Sequence, residues 1–270
     1  RREDMRSRVL VSAAGVPVLL LLILWAPLWA LAGALAALAA IGGWELMRCV
    51  GAARVKALDV LGVLGAVCSV FAVYFRDSIF GELVVVYVLI LFAFSVWQAG
   101  RVRFQQICVT LLAMFAIPYA FASLLQLGAL GYSRSYMLLP LIFSFSTDTC
   151  AFFAGHAFGK HKLAPHVSPH KTVEGALGGI VGSVTGGLLF ALVVNTWGDG
   201  SISYPLIALV GVLISLAAQL GDLSFSLIKR EFGVKDYGHI FLAHGGVLDR
   251  FDSVIFAAPT LLVLLQLLRL

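Results

Sequence analysis

Four aspartates stand where so oily a chain has little use for charge. Asp148 interrupts the apolar segment LIFSFSTDTCAFFAG, among Ser144, Ser146, Thr147 and Thr149. Asp222 lies in LAAQLGDLSFSLIKR, with Ser226 four residues on and Lys229 seven on, so the three share one helical face. Asp249 and Asp252 close the stretch KDYGHIFLAHGGVLDRFD and, three apart, face one way on a helix. A charge inside an apolar span is costly, which makes each a functional candidate; a buried carboxylate satisfied by nearby hydroxyls or a lysine is the plainer alternative. Carboxylates at these spacings offer hard oxygen ligands to Mg²⁺, an ion that keeps several waters and is commonly shared with substrate phosphates. Gly245 and Gly246 let the backbone approach an anion closely.

A second polar stretch, FGKHKLAPHVSPHKTVEG, brings Lys160, Lys162, Ser168, Lys171 and Thr172 just ahead of an apolar run that begins at Gly175. Cations, hydroxyls and N–H groups at a helix start make a phosphate cradle, with an ordinary basic juxtamembrane loop as the alternative. Its histidines, His161, His166 and His170, are spaced by four or five across Pro165 and Pro169, which break a helix, so no histidine metal site is expected. Carboxylates, a basic hydroxyl-rich loop and an apolar frame together suggest metal-assisted phosphoryl chemistry, in which a cytoplasmic polyanion meets a lipid.

The elements that must position these groups are membrane helices. The 270 residues are 61% hydrophobic and 12% charged, with a mean hydropathy of +0.99, outside the range of soluble domains. Runs long enough to cross a bilayer core cover Val9–Trp25, Leu28–Cys49, Ala57–Phe75, Gly81–Trp97, Phe104–Leu125, Tyr136–Phe158, Gly175–Val194, Tyr204–Ile228 and Ser253–Leu268. The expectation is an all-α polytopic protein of about nine transmembrane helices. With the N-terminus cytoplasmic, all but Arg76, Arg134 and Arg269 of the 19 lysines and arginines fall on the cytoplasmic side. Their scatter over short loops explains the basic pI through insertion bias and anionic lipid, so nucleic acid is not the expected partner.

The chain reads as one integral membrane domain, with residues 1–134 as scaffold helices and 135–270 carrying the chemistry. The five N-terminal spans hold almost no ionisable groups, Glu45 near a membrane edge being a minor exception. Gly175, Gly178, Gly179, Gly182, Gly186 and Gly187 suit close approach of another helix, or of a ligand.

The stretch SLIKREFGVKDYGHIFLAHGGVLDRFD resembles the signature of the phosphatidate cytidylyltransferases, the CDP-diacylglycerol synthases. The residues that carry it are Ser226, Lys229, Arg230, Lys235, Asp236, His244, Gly245, Gly246, Asp249, Arg250 and Asp252. Upstream, the segment from Asp148 through the S-P-x-K-T-x-E-G of Ser168–Gly175 is similar to the same family. The resemblance implies cytidylyl transfer from CTP to phosphatidate at the cytoplasmic face of the inner membrane, with Mg²⁺, with K⁺ assisting in some members, and as a homodimer. It maps the metal-binding aspartates onto Asp222 and Asp249, with Asp148 and Asp252 as further acidic members and Lys229 in the catalytic set. Phosphate contacts are expected from Ser168, Lys171, Thr172, Lys229 and Arg250. The chain departs from the pattern at Phe225, where the family usually has Glu, and at Leu242–Ala243, where it usually has Pro-Gly.

Two rival readings remain at this level. A CTP-dependent polyprenol or phytol kinase would move the terminal phosphate instead. An ion-coupled transporter also uses intramembrane carboxylates and glycine-rich helices, and its expected mark, an inverted repeat, is not evident here.

Overall fold

The computed structural model describes residues 18–75, 77–129, 134–198, 202–238 and 245–268. The protein is an all-α polytopic membrane protein, and eight helices among the described residues are long and apolar enough to span a bilayer. In lipid, only a helix or a closed barrel satisfies every backbone polar group within itself, which is why long apolar runs become helices here. The expected first span, Val9–Trp25, is described only from residue 18, and 18–25 is helical (α1).

The helices that follow are α2 (Leu28–Val50), α3 (Lys56–Phe75), α4 (Asp77–Trp97) and α5 (Phe104–Leu111), which runs through a π-helical turn, Leu112–Ala116, into α6 (Ile117–Ala129). Then come α7 (Leu139–Phe158), α8 (Val173–Trp197), α9 (Tyr204–Glu231) and α10 (Leu248–Leu268). Helix α10 begins five residues before the apolar run expected at Ser253, so Asp249 and Asp252 both fall on it. The basic loop between α7 and α8 forms an antiparallel hairpin of β1 (Lys162–Ala164) and β2 (Ser168–Thr172), in the register Lys162 to Thr172 and Ala164 to Ser168.

The chain divides into two compact units. One holds the residues up to Arg134 together with Phe232–Phe251; the other holds Ser135–Glu231 and the residues from Asp252 on. In the first, Leu31, Leu35, Leu46, Met47, Leu58 and Phe121 form a buried core. Small residues let its backbones close up: a Cβ on Gly43 would lie 2.9 Å from the Ala113 carbonyl, and one on Gly65 would strike Met114. The π-helical turn frees carbonyls from the usual ladder, and Ser69 Oγ donates to Met114 O at 2.7 Å. Val85, Val86, Leu89 and Val96 of α4 face outward, as suits a lipid-bathed helix. Glu45, in the C-terminal part of α2, is wholly buried.

In the second unit α7 and α8 lie backbone to backbone, and the glycine face of α8 makes that contact. A Cβ on Gly182 would come 2.7 Å from Ser146 O, and one on Gly179 would come 3.1 Å from Thr147 O. Helix packing is one use the fold makes of these glycines, and Gly175 also lines a cleft.

Candidate active site

Three of the four aspartates belong to the second unit, each on a different helix. Asp148 comes from α7, Asp222 from α9 and Asp252 from α10. The close α7–α8 contact holds Asp148 beside the hairpin that precedes α8, and β2 delivers Lys171. Lys171 Nζ sits 2.5 Å from Asp222 Oδ2, with both side chains 27% exposed. A pair this screened from water interacts more strongly than a surface pair, while enough solvent remains to spare it the full cost of burial.

The neighbouring hydroxyls complete the arrangement. Ser226 Oγ donates to Asp222 Oδ1 at 3.3 Å, and Ser253 Oγ donates to Asp148 Oδ2 at 3.0 Å. Asp252 Oδ1 accepts the Ser253 amide at 2.7 Å. Asp148, Asp222 and Lys229 all lie close enough to Asp252 to act on it electrostatically. A cleft of about 540 Å³ opens among Asp148, Lys171 and Asp222, with His156, Lys162 and His170 also on its walls. That volume is in the range of small-molecule sites.

Below the cleft runs a polar track that the sequence reading passed over. Thr147 Oγ1 donates to Ser215 Oγ at 3.1 Å, and Gln219 Nε2 donates to Ser215 Oγ at 3.1 Å and to Ala176 O at 3.2 Å. Ser215 and Gln219 precede Asp222 by seven and three residues, so they extend the same helical face inward; the spacing was there to be read.

The hairpin is held by side chains of α8 and α9 and by its own Thr172. Glu174 accepts the amides of Lys160 at 3.1 Å and His161 at 3.2 Å and lies 2.6 Å from His161 Nδ1. Buried Thr172 accepts the Gly175 amide at 3.1 Å as the N-cap of α8, and Arg230 Nε donates to Val167 O at 3.3 Å. Ser168 pairs opposite Ala164 in the sheet. Of the residues expected to meet phosphate, Lys171 and Thr172 lie on the cleft wall, Thr172 also carrying the cap bond within the protein.

The remaining expected residues belong to the first unit, apart from Lys229, half-buried in the last turn of α9. Asp249 Oδ2 accepts the Tyr237 amide at 2.8 Å and the Gly246 amide at 2.9 Å. Gly245 sits at φ +82°, where a side chain is strained, and its Cβ would meet Asp249 Oδ2 at 2.8 Å. Lys235, Asp236 and Arg250 are exposed, and His244 lies outside the described residues. Glu45, which the sequence reading left in the scaffold, accepts the amides of Val247 at 3.1 Å and Leu248 at 3.0 Å. Phe225, standing where the resembled family has Glu, is buried with its ring edge against Phe256 at 6.3 Å.

Among the described residues no three His, Cys, Asp or Glu side chains converge closely enough to cage a metal on their own. The second unit offers instead carboxylate oxygens from separate helices, Asp148 and Asp222 of them on the walls of an open cleft. Such a donor set suits Mg²⁺, which takes one or two carboxylates and fills its octahedron with water and phosphate oxygens.

Known proteins are similar to this chain. The model of the cytidylyltransferase family matches residues 6–268. A phosphatidate cytidylyltransferase of Bacillus subtilis is 32% identical over 273 residues, 98% of this chain and 98% of that one. One of Staphylococcus saprophyticus is 39% identical over 176 residues, 65% of each chain, and one of Brucella melitensis is 44% identical over 147 residues, 53% of each. With the family model matched over nearly the whole length and a full-length relative beside it, this chain belongs to the cytidylyltransferase family.

Proposed function

We propose that the chain transfers the cytidylyl group of CTP to phosphatidate, forming CDP-diacylglycerol and pyrophosphate. The observation that carries this reading is a Lys171–Asp222 pair on the wall of a cleft, in a chain with helices long and apolar enough to span a membrane and akin over its full length to a phosphatidate cytidylyltransferase. A phosphate oxygen of phosphatidate bonds to the α-phosphorus of CTP as the bond from that phosphorus to the α–β bridging oxygen breaks, and pyrophosphate leaves.

Such a reaction needs positioning and charge more than covalent chemistry. Lys171 is held by Asp222 until an anion enters, and a phosphate in the cleft then competes with Asp222 for the ammonium group. Lys162 and His170 add donors on the same wall. Mg²⁺ would be held by Asp222 and Asp148, with Asp252 behind them, and when bound it neutralises phosphate oxygens and the departing pyrophosphate. Ser226 and Ser253 orient the carboxylates. The same reading gives Asp249 a ligand role and gives Arg250 and Lys229 phosphate contacts. It also places the site at the cytoplasmic face of the inner membrane of a homodimer.

The test uses the purified full chain in lipid with Mg²⁺, phosphatidate and CTP labelled at either the α- or the γ-phosphate. Transfer of the α-label to lipid with release of pyrophosphate is the expected result. Transfer of the γ-label with release of CDP makes the protein a kinase. Solute uptake into liposomes without CTP, and no label in lipid, makes it a transporter.

A further inference from the structure

We infer that Glu45 is a positioning residue for the reaction: from a helix that reads as scaffold, its carboxylate sets the start of α10 and, with it, Asp249 and Arg250. The inference rests on the transferase reading above.

A helix begins with amides that have no partner inside it. At α10 three consecutive amides are each taken by a carboxylate: Gly246 by Asp249, Val247 by Glu45 Oε1 and Leu248 by Glu45 Oε2. Glu45 lies 202 and 203 residues before the two it binds, so this cap is a tertiary contact. Negative charge suits a helix N-terminus, which offsets part of the cost of burying the group.

The surroundings are shaped around the same carboxylate. A Cβ on either Gly238 or Gly246 would collide with it, so the chain passes Glu45 twice at distances only glycine allows. One turn earlier on α2, a Cβ on Gly42 would lie 3.1 Å from Leu248 Cδ2, which brings α2 and the start of α10 into contact. Two oxygens on adjacent amides fix the rotation of that first turn as well as its height. Asp249 and Arg250 lie in it, and Asp249 in turn ties down Tyr237 and Gly246.

The experiment compares the full chain with Glu45→Gln and Glu45→Ala by hydrogen exchange of the 245–250 amides and by separate kcat and KM values for CTP. In Glu45→Gln one oxygen becomes an NH₂ facing an amide. Exchange at Val247 and Leu248 is expected to quicken about tenfold in Glu45→Gln, and kcat to fall about 100-fold, as for a misplacement of about 1 Å, with KM within about twofold. A loss of folding alone would instead lower active protein and leave kcat per folded molecule unchanged. If Glu45→Ala does not fold, Glu45→Gln decides alone. Unchanged exchange, or quickened exchange with kcat within about twofold of the parent, overturns the inference. A parent that puts no α-label into lipid overturns the transferase reading, while the exchange result still reports whether Glu45 anchors α10.

Discussion

Lys171, at the end of a two-stranded hairpin, and Asp222, in the third helix of the same unit, meet at 2.5 Å on the wall of a cleft that also holds Asp148. Without Lys171, Asp222 would stand as a bare charge near two other carboxylates. In the proposed reaction the ammonium group has Asp222 as its resting partner and substrate phosphate as its working one.

Lys171→Met is expected to lower kcat/KM for CTP by about 100-fold or more, the scale of losing one charge-stabilising donor. Lys171→Arg is expected to stay well below the parent, because a planar fork does not replace a point charge in a site shaped for one. Label transfer from α-labelled CTP to phosphatidate measures both.

Asp222→Asn and Asp148→Asn are each expected to cut transfer on the order of 100-fold while leaving the unfolding temperature within a few degrees. Treating the parent with a chelator is expected to stop transfer, and added Mg²⁺ to restore it. Recovery with Mg²⁺ in the parent at concentrations that fail in either variant would tie the ion to these two side chains.

Gly182→Val places a branched side chain against Cys150 and the Ser146 carbonyl, where even a Cβ is too close. It is expected to abolish folded yield in detergent, since the backbone carbonyl cannot move aside. Gly33→Ala, in α2 with nothing within 4 Å of the new Cβ, is expected to stabilise by about 0.5–1 kcal/mol through helix propensity. Thermal unfolding of the two separates close packing from mere glycine content.

Phe225→Glu restores the residue usual in the resembled family but places a carboxylate in a buried position beside Phe256. It is expected to lower stability by several kcal/mol and not to raise turnover. Phe225→Leu, apolar and smaller, is expected to keep most activity at a cost of about 1–2 kcal/mol. A faster Phe225→Glu enzyme would show that the position reaches the cleft.

Much of this protein was legible in the order of its residues. Lipid offers the backbone no hydrogen-bond partners, so apolar runs of sufficient length had to become helices, and charges within them stood out. The line Asp222–Ser226–Lys229 follows from the 3.6-residue period alone, and the glycine face of α8 announced a close neighbour. The signature around Asp249 likewise named the family before any coordinate was known.

Other features depended on which distant segments touch. The partner of Lys171 lies 51 residues away, the hydroxyl that meets Asp148 lies 105 residues away, and the amides that hold Glu45 lie more than 200 residues from it. Nothing in local periodicity distinguishes Glu45 from a stray charge at a membrane edge. Nor does it reveal that Thr172 caps α8 or that the basic loop closes into a hairpin. Helix formation in a membrane is settled by each segment's own backbone, whereas the pairing of a buried carboxylate with its donors is settled only when separate helices pack.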